Sequence, residues 1–245
     1  MIGRLIQSLA LRHWRGRAAA AQTLDPSETL ETRARARALQ RELDGFLNLS
    51  DRRAGGDTFR RPPGTEWAWR PEIWQSPLSP KGQVISENRT AIGAEASLFV
   101  DGREPEVALS QRANTGLDDL APFGLSLDCY HYQGGFLSLV IDIPEDGCAG
   151  LEPRHLLRLD VHVSSERPAR ISSRLNIRQG PQTNTLVRDF DPSHARPMVE
   201  FDLAYAELER RPIDRLWLDL ILHDPAMNQI DLRDVTLMRL TRAAF

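Results

Sequence analysis

Several runs of residues in this chain alternate strictly between apolar and polar, and their polar positions collect side chains that can do chemistry. Residues 156–164 set Arg158, Asp160 and His162 two apart, and residues 169–178 do the same with Arg170, Ser172, Arg174, Asn176 and Arg178. Residues 213–223 offer Arg215, Trp217, Asp219 and His223, and residues 123–132 offer Asp128, Tyr130 and Tyr132. On an extended strand, side chains two apart point the same way. Each run therefore presents one polar face, and together they form a field of Arg, Asp, Asn and His with aromatic plates. Such a mixture suits a sugar: planar polar groups bond ring hydroxyls, and aromatic faces pack on the C–H side of the ring. The candidate ligand-binding residues are Tyr130, Tyr132, Asp160, His162, Arg174, Asn176, Arg178, Trp217, Asp219 and His223. A solvated sheet face laced with surface ion pairs shows the same alternation, so that reading stays open beside the first.

Other chemistry is poorly signalled. Asp160 and His162 could begin a metal site, but no third ligand can be named, so no metal is expected. Neither a nucleophile elbow, a phosphate-binding loop, a zinc-protease motif nor a dinucleotide fingerprint occurs, so no catalytic residue and no cofactor is nominated. A pair of glycosidase carboxylates distant in sequence would leave no local mark. Two polar segments, RQGPQTNT at 178–185 and HDPAMNQ at 223–229, read as binding loops or as ordinary turns. Trp67, Trp69 and Trp74 fall within eight residues and read either as stacking platforms or, preferably, as closure for an open end of the fold.

Inward positions of the same runs imply the elements that carry these faces. Leu157, Leu159, Val161 and Val163 alternate, as do Ile171, Ser173, Leu175 and Ile177, and Leu216, Leu218, Leu220 and Leu222. Further strands are expected near 97–100, 107–112, 185–190, 198–203 and 231–240. Residues 123–132 and 136–143 read as a hairpin about Gln133–Gly135, pairing Cys129 with Leu139 and Leu127 with Ile141. Cys129 then faces inward, and Cys148 lies too far along for a disulfide. Eight or more strands with turn-rich joints imply a mainly β fold, an antiparallel jelly-roll β-sandwich over 65–245. It follows an N-terminal α-helical segment at 1–49 and a Gly-, Pro- and charge-rich linker at 50–64. Asp25-Pro26 reads as a helix start, with the helix ending near Leu47.

Composition bounds the partners. The 245 residues carry a net charge of −3, which argues against nucleic acid. Lys81 is the only lysine, so 30 of the 31 basic residues are arginine, read as coding bias. No run reaches the roughly 20 apolar residues a bilayer span needs. Residues 1–17 start like a secretory signal, but Arg12, Arg15 and Arg17 interrupt that pattern, so a cytoplasmic location is expected. The same residues place Ile2, Leu5, Ile6 and Leu9 on one helical arc and arginines on another. A protein partner or the inner face of a membrane could meet them.

The closing stretch IDRLWLDLILHDPAMNQIDLRDVTLMRLTRAAF resembles the last strands of galactose-binding-like jelly rolls, the fold of many carbohydrate-binding modules. RLNIRQGPQTNT, EFDLAYAEL and DLILHDPAMNQIDLRD also resemble an uncharacterised alphaproteobacterial family of unknown function. The first resemblance implies a sandwich, and the second supplies no activity. Three functions remain open: a non-enzymatic glycan-binding module, a protein-interaction scaffold using the N-terminal helices, and a polysaccharide-acting enzyme.

Overall fold

The computed structural model describes every residue except 1, 22, 55–59, 103, 117, 191–195, 210 and 243–245. The chain divides into two units, Met1–Gly56 and Asp57–Phe245.

The first unit holds two helices, α1 (Ile2–Ala20) and α2 (Pro26–Ala54). Asp25 begins α2 as expected: its carboxylate accepts from the Ser27 amide at 3.1 Å, and Pro26 takes the first helical position. The side-chain hydrogen bond from Ser27, followed by its amide, holds the Asp25 carboxyl below its ordinary range. Helix α2 runs past the expected end near Leu47 to Ala54. Ala-, Arg- and Glu-rich sequence carries no proline after Pro26, and the single Gly45 does not end the helix before the glycines at 55–56. Leu9, Leu11, Leu30, Leu43 and Phe46 are exposed.

The second unit is a two-sheet antiparallel sandwich. In chain order its elements are β1 (Thr65–Trp69), α3 (Glu72–Gln75), β2 (Gly82–Ile85), β3 (Arg89–Ile92), β4 (Ala96–Val100), β5 (Val107–Ala113) and β6 (Phe123–Cys129). There follow β7 (Phe136–Asp142), α4 (Glu145–Cys148), β8 (His155–Ser165), β9 (Arg170–Gln179), β10 (Gln182–Asp189), β11 (Met198–Asp202), β12 (Arg215–His223) and β13 (Asn228–Thr241). The first sheet runs β11-β8-β13-β6-β5-β2, with β1 also on β13; the second runs β10-β9-β12-β7-β4-β3. The chain passes between sheets repeatedly, which makes the sandwich a jelly roll. Its core is built from the predicted inward positions: Leu157, Leu159, Leu175, Ile177, Leu218 and Leu220 are all buried. Trp74 is wholly buried too, and its indole donates to the Leu232 carbonyl at 2.9 Å.

The expected hairpin does not form. Strand β6 lies between β5 and β13 in the first sheet, and β7 lies between β4 and β12 in the second. Leu127 faces Leu109 and Ile230 rather than Ile141. Apolar matching cannot distinguish a hairpin from a crossover, because two inward-alternating strands meet across a core as readily as beside one another. The difference lies in the connection. Tyr132, expected on the polar face, is turned inward at 7% exposure, and its hydroxyl stands 2.8 Å from Asp101 Oδ1. The amides of Gly135 and Phe136 donate to the same carboxylate, at 3.0 and 3.2 Å. The loop is thereby tied to the residue just after β4, in the second sheet. Cys129 remains inward and unbridged, as expected, and Cys148 is also a free thiol.

Trp67 and Trp69 stack on one another, centroids 6.3 Å apart, against the edge of the core, and Trp67 Nε1 donates to Asp146 Oδ2 at 3.2 Å. Their place over α4 supports end closure. The expected loop at 178–185 is instead a two-residue turn. Gln179 pairs with Gln182, and Gly180 (φ +61°) precedes Pro181, the pattern of a II′ hairpin, with QTNT inside β10.

Candidate functional site

The ten candidate residues divide among three places. Strands β9 and β12 are neighbours in the second sheet, and their outward positions bring Arg174, Asn176, Arg178, Trp217, Asp219 and His223 onto one face. The register pairs Asn176 with Trp217, Arg174 with Asp219, and Arg178 with Arg215. Asp160 and His162 sit on β8, on the outward face of the other sheet. Tyr130 is exposed on the loop after β6, and Tyr132 is buried, so neither joins the field of the second sheet.

Asp219 is the centre of the second-sheet face. It points outward, yet is only 1% exposed, with Trp217 and Ile221 beside it on β12 and Arg174 and Val140 opposite it on the adjacent strands. Its Oδ2 accepts from Arg174 Nε at 2.7 Å and from Asn176 Nδ2 at 3.1 Å. Its Oδ1 is buried and has no partner. On β7, next to β12, Ser138 also points outward, is buried, and leaves its hydroxyl unpartnered. Because Asp219 is opposite Val140, Ser138 is its diagonal neighbour, a separation on the order of 7 Å in an antiparallel pair. Two unsatisfied polar atoms thus share one patch, one requiring a donor and the other able to donate or accept. Sequence pattern showed the face of Asp219 but not Ser138, a small residue that reads as filler until the strands are paired.

The surroundings complete the patch. Arg215 holds its guanidinium 4.6 Å over the Trp217 ring and bonds Asp142 Oδ1 at 2.7 Å. Arg174 is 46% exposed at its side chain, so it can swing aside without unfolding the sheet. At one end of the face, the Ser172 hydroxyl hydrogen-bonds His223 Nε2. A Ser–His pair is two of the three members of a nucleophilic triad, but among the described residues no carboxylate orients the other ring nitrogen.

Over the first sheet lies a pocket of about 370 Å³ that includes Asp160 and His162. A register shift in β13 between Leu232 and Asp234 sets Asp234 opposite His162. Asp160 bonds Arg158 Nε at 2.8 Å, and Asp234 bonds Arg70 through two guanidinium nitrogens at 2.8 and 2.9 Å. Burial, then the charges of Arg196 and Arg233, holds His162 below its ordinary value, against the opposing pull of Asp119 and Asp234. No group of three His, Cys, Asp or Glu that could hold a metal occurs among the described residues.

The model of a Family of unknown function (DUF6478) matches residues 1–245. No curated protein matches the chain. Among solved structures, it is similar to a family 11 carbohydrate-binding module from Clostridium thermocellum in complex with a β-1,3-1,4-mixed-linked tetrasaccharide. Identity there is 8%, over 66% of this chain and 98% of that one, with a TM-score of 0.38. A putative sugar binding protein from Bacteroides thetaiotaomicron VPI-5482 is 12% identical over 63% of this chain and 92% of that one, with a TM-score of 0.39. The enzymatically active domain of tailspike protein 4 from bacteriophage CBA120 is 7% identical over 59% of this chain, which spans 19% of that longer chain, with a TM-score of 0.41.

Proposed function

The chain belongs to the DUF6478 family, and for it we propose a non-enzymatic sugar-binding module whose ligand lies on the outer face of the second sheet. The observation that supports this reading is the pair of unpartnered buried atoms, Asp219 Oδ1 and Ser138 Oγ, on one patch. Leaving a buried polar group unsatisfied costs about 1–3 kcal/mol, more for a charge. Neighbouring hydroxyls of one ligand can answer both needs, one donating to Asp219 Oδ1 and the next bonding Ser138 Oγ. Polyhydroxylated ligands supply such groups in rows. Trp217 gives an apolar plate beside them once Arg215 leaves its ring, and Asn176 and Arg174 hold the carboxylate in place. Access requires Arg174 to move, which its exposure permits.

The test is retention on a glycan array, with Ser138→Ala as the diagnostic variant. Ser138 Oγ has no partner, so its removal leaves thermal stability unchanged or slightly higher. Retention should nevertheless fall, and Trp217→Ala should reduce it further. An intact protein that retains no glycan, or a Ser138→Ala variant that binds as the parent does, overturns the reading.

A further inference from the structure

The pocket over the first sheet has a charge pattern that the hydroxyl-binding face lacks. Four arginines (Arg60, Arg61, Arg158 and Arg196) and two aspartates (Asp160 and Asp234) line it, and Arg60 and Arg196 carry the excess, since Arg61 has a partner of its own. The whole chain carries −3, so the excess is local. Both carboxylates are already matched: Asp160 bonds Arg158, and Asp234 bonds Arg70, a residue outside the lining. Arg196 donates its hydrogen bond to a neutral acceptor, the Asp118 carbonyl. Thr236 brings a hydroxyl to the same space, and Met198 and Leu120 supply apolar wall. Four separate segments converge here: the stretch before β1, the stretch between β5 and β6, the stretch leading into β11, and the paired strands β8 and β13.

We propose that this pocket binds a small organic oxyanion, a carboxylate or a phosphate monoester carried on a sugar-sized body. Guanidinium groups favour such anions because their planar donors match two oxygens at once. The volume of about 370 Å³ falls within the range of small-molecule sites, about 300–1,000 Å³, so there is room for more than the anion. Apolar wall and the Thr236 hydroxyl suit that remainder. Burial is the largest cause of the lowered proton affinity of His162, and the charges of Arg196 and Arg233 add to it. The site shares no residue with the Asp219 patch and stands on the opposite sheet, so it does not depend on the reading given above.

Titration calorimetry of the full chain at low salt, with glucuronate, glucose 6-phosphate and neutral glucose, tests the proposal. At least one of the two anions should bind, and more tightly than glucose, whose neutral hydroxyls suit only the Asp219 patch. Whichever anion binds identifies the source of the oxyanion. Added sodium chloride should weaken binding by screening. Arg196→Gln and Arg60→Gln each remove a charged donor at the protein surface and should weaken it about tenfold. Asp160→Asn works in the opposite direction: it removes a negative charge and releases Arg158, so affinity should rise roughly threefold. A role for these residues in folding alone would not produce that reversal. Failure of both anions to bind, equal binding of glucose, or unchanged affinity in the two arginine variants overturns the proposal.

Discussion

The hydroxyl of Tyr132 lies 2.8 Å from Asp101 Oδ1, and the Asp101 amide donates to the Tyr132 hydroxyl oxygen at 3.1 Å. Tyr132 belongs to the loop leaving the first sheet, and Asp101 follows the last residue of β4 in the second. The pair thus ties the crossing chain to the sheet it is about to enter. A carboxylate that accepts from one hydroxyl and two loop amides also fixes the direction of β7.

This pair should make stability fall in alkali. Burial first, and then the bond to Asp101, raise the Tyr132 hydroxyl from 10.0 to about 12. The unfolded chain therefore releases this proton before the folded one does. The contribution is complete below pH 10 and disappears as pH rises toward 12, amounting to about 2–3 kcal/mol. Urea unfolding followed from pH 9 to 12 should show that decline, and Tyr132→Phe should flatten it. At neutral pH the same variant should cost about 1–3 kcal/mol, because Asp101 loses a charge-assisted partner. An identical alkaline slope in parent and variant would assign the loss to other groups.

Cys129 gives a separate check on which way β6 faces. Burial, followed by the charge of Asp128, pushes its thiol up to about 12. A thiol so placed holds almost no thiolate at pH 8. Iodoacetamide should leave Cys129 unmodified in the folded protein and alkylate it only in denaturant. Denaturation without reductant should still yield two free thiols, since neither cysteine is bridged. Rapid labelling of Cys129 in the folded chain would show that β6 is turned over.

Much of the sandwich could be read from alternation, because a period of two survives in any half-buried strand. The inward leucines of β8 and β12 and the polar face of β9 needed no partner to be recognised. Pairing is another matter. Leu125, Leu127 and Cys129 would satisfy the inward face of either sheet, and contacts distant in sequence, such as the Asp101–Tyr132 tie 31 residues apart, accompany the crossover. The candidate site divides in the same way. Arg174 and Asp219 each stood on a recognisable face, but their bond joins strands 45 residues apart. Arg60, Arg61 and Arg196 come from segments without periodicity, and nothing local aims them at one pocket.

The ion pair of Arg70 and Asp234 should be worth more in the breaking than in the having. Both side chains are largely buried, at 5% and 13% exposure, and two hydrogen bonds join them across 164 positions of sequence. Removing one partner strands the other charge in a place water scarcely reaches. Asp234→Leu should therefore lower unfolding free energy by about 3–5 kcal/mol. The double variant Arg70→Met with Asp234→Leu should recover most of that loss, because no charge is left behind. Chemical denaturation of the three variants completes the cycle, and additive losses would mean that the pair is not coupled.

Closure of the sandwich end by Trp67 can be tested through a glycine. Gly147 lies in α4 beneath that indole. A Cβ added there would stand 2.7 Å from Trp67 Cη2 and 2.8 Å from Ile143 Cγ2, closer than carbon atoms pack. Ile143 is buried in the core and cannot retreat far, so the indole must move. Its movement would break the bond to Asp146 and open the stack with Trp69. Gly147→Ala should accordingly cost about 1–3 kcal/mol, as overpacking does. Tryptophan fluorescence should shift to longer wavelength as the indoles meet water. Adding Trp67→Phe to the same chain shortens the side chain that clashes, so the double variant should melt above Gly147→Ala alone. If Gly147→Ala melts with the parent and leaves the fluorescence unchanged, Trp67 does not seal this end.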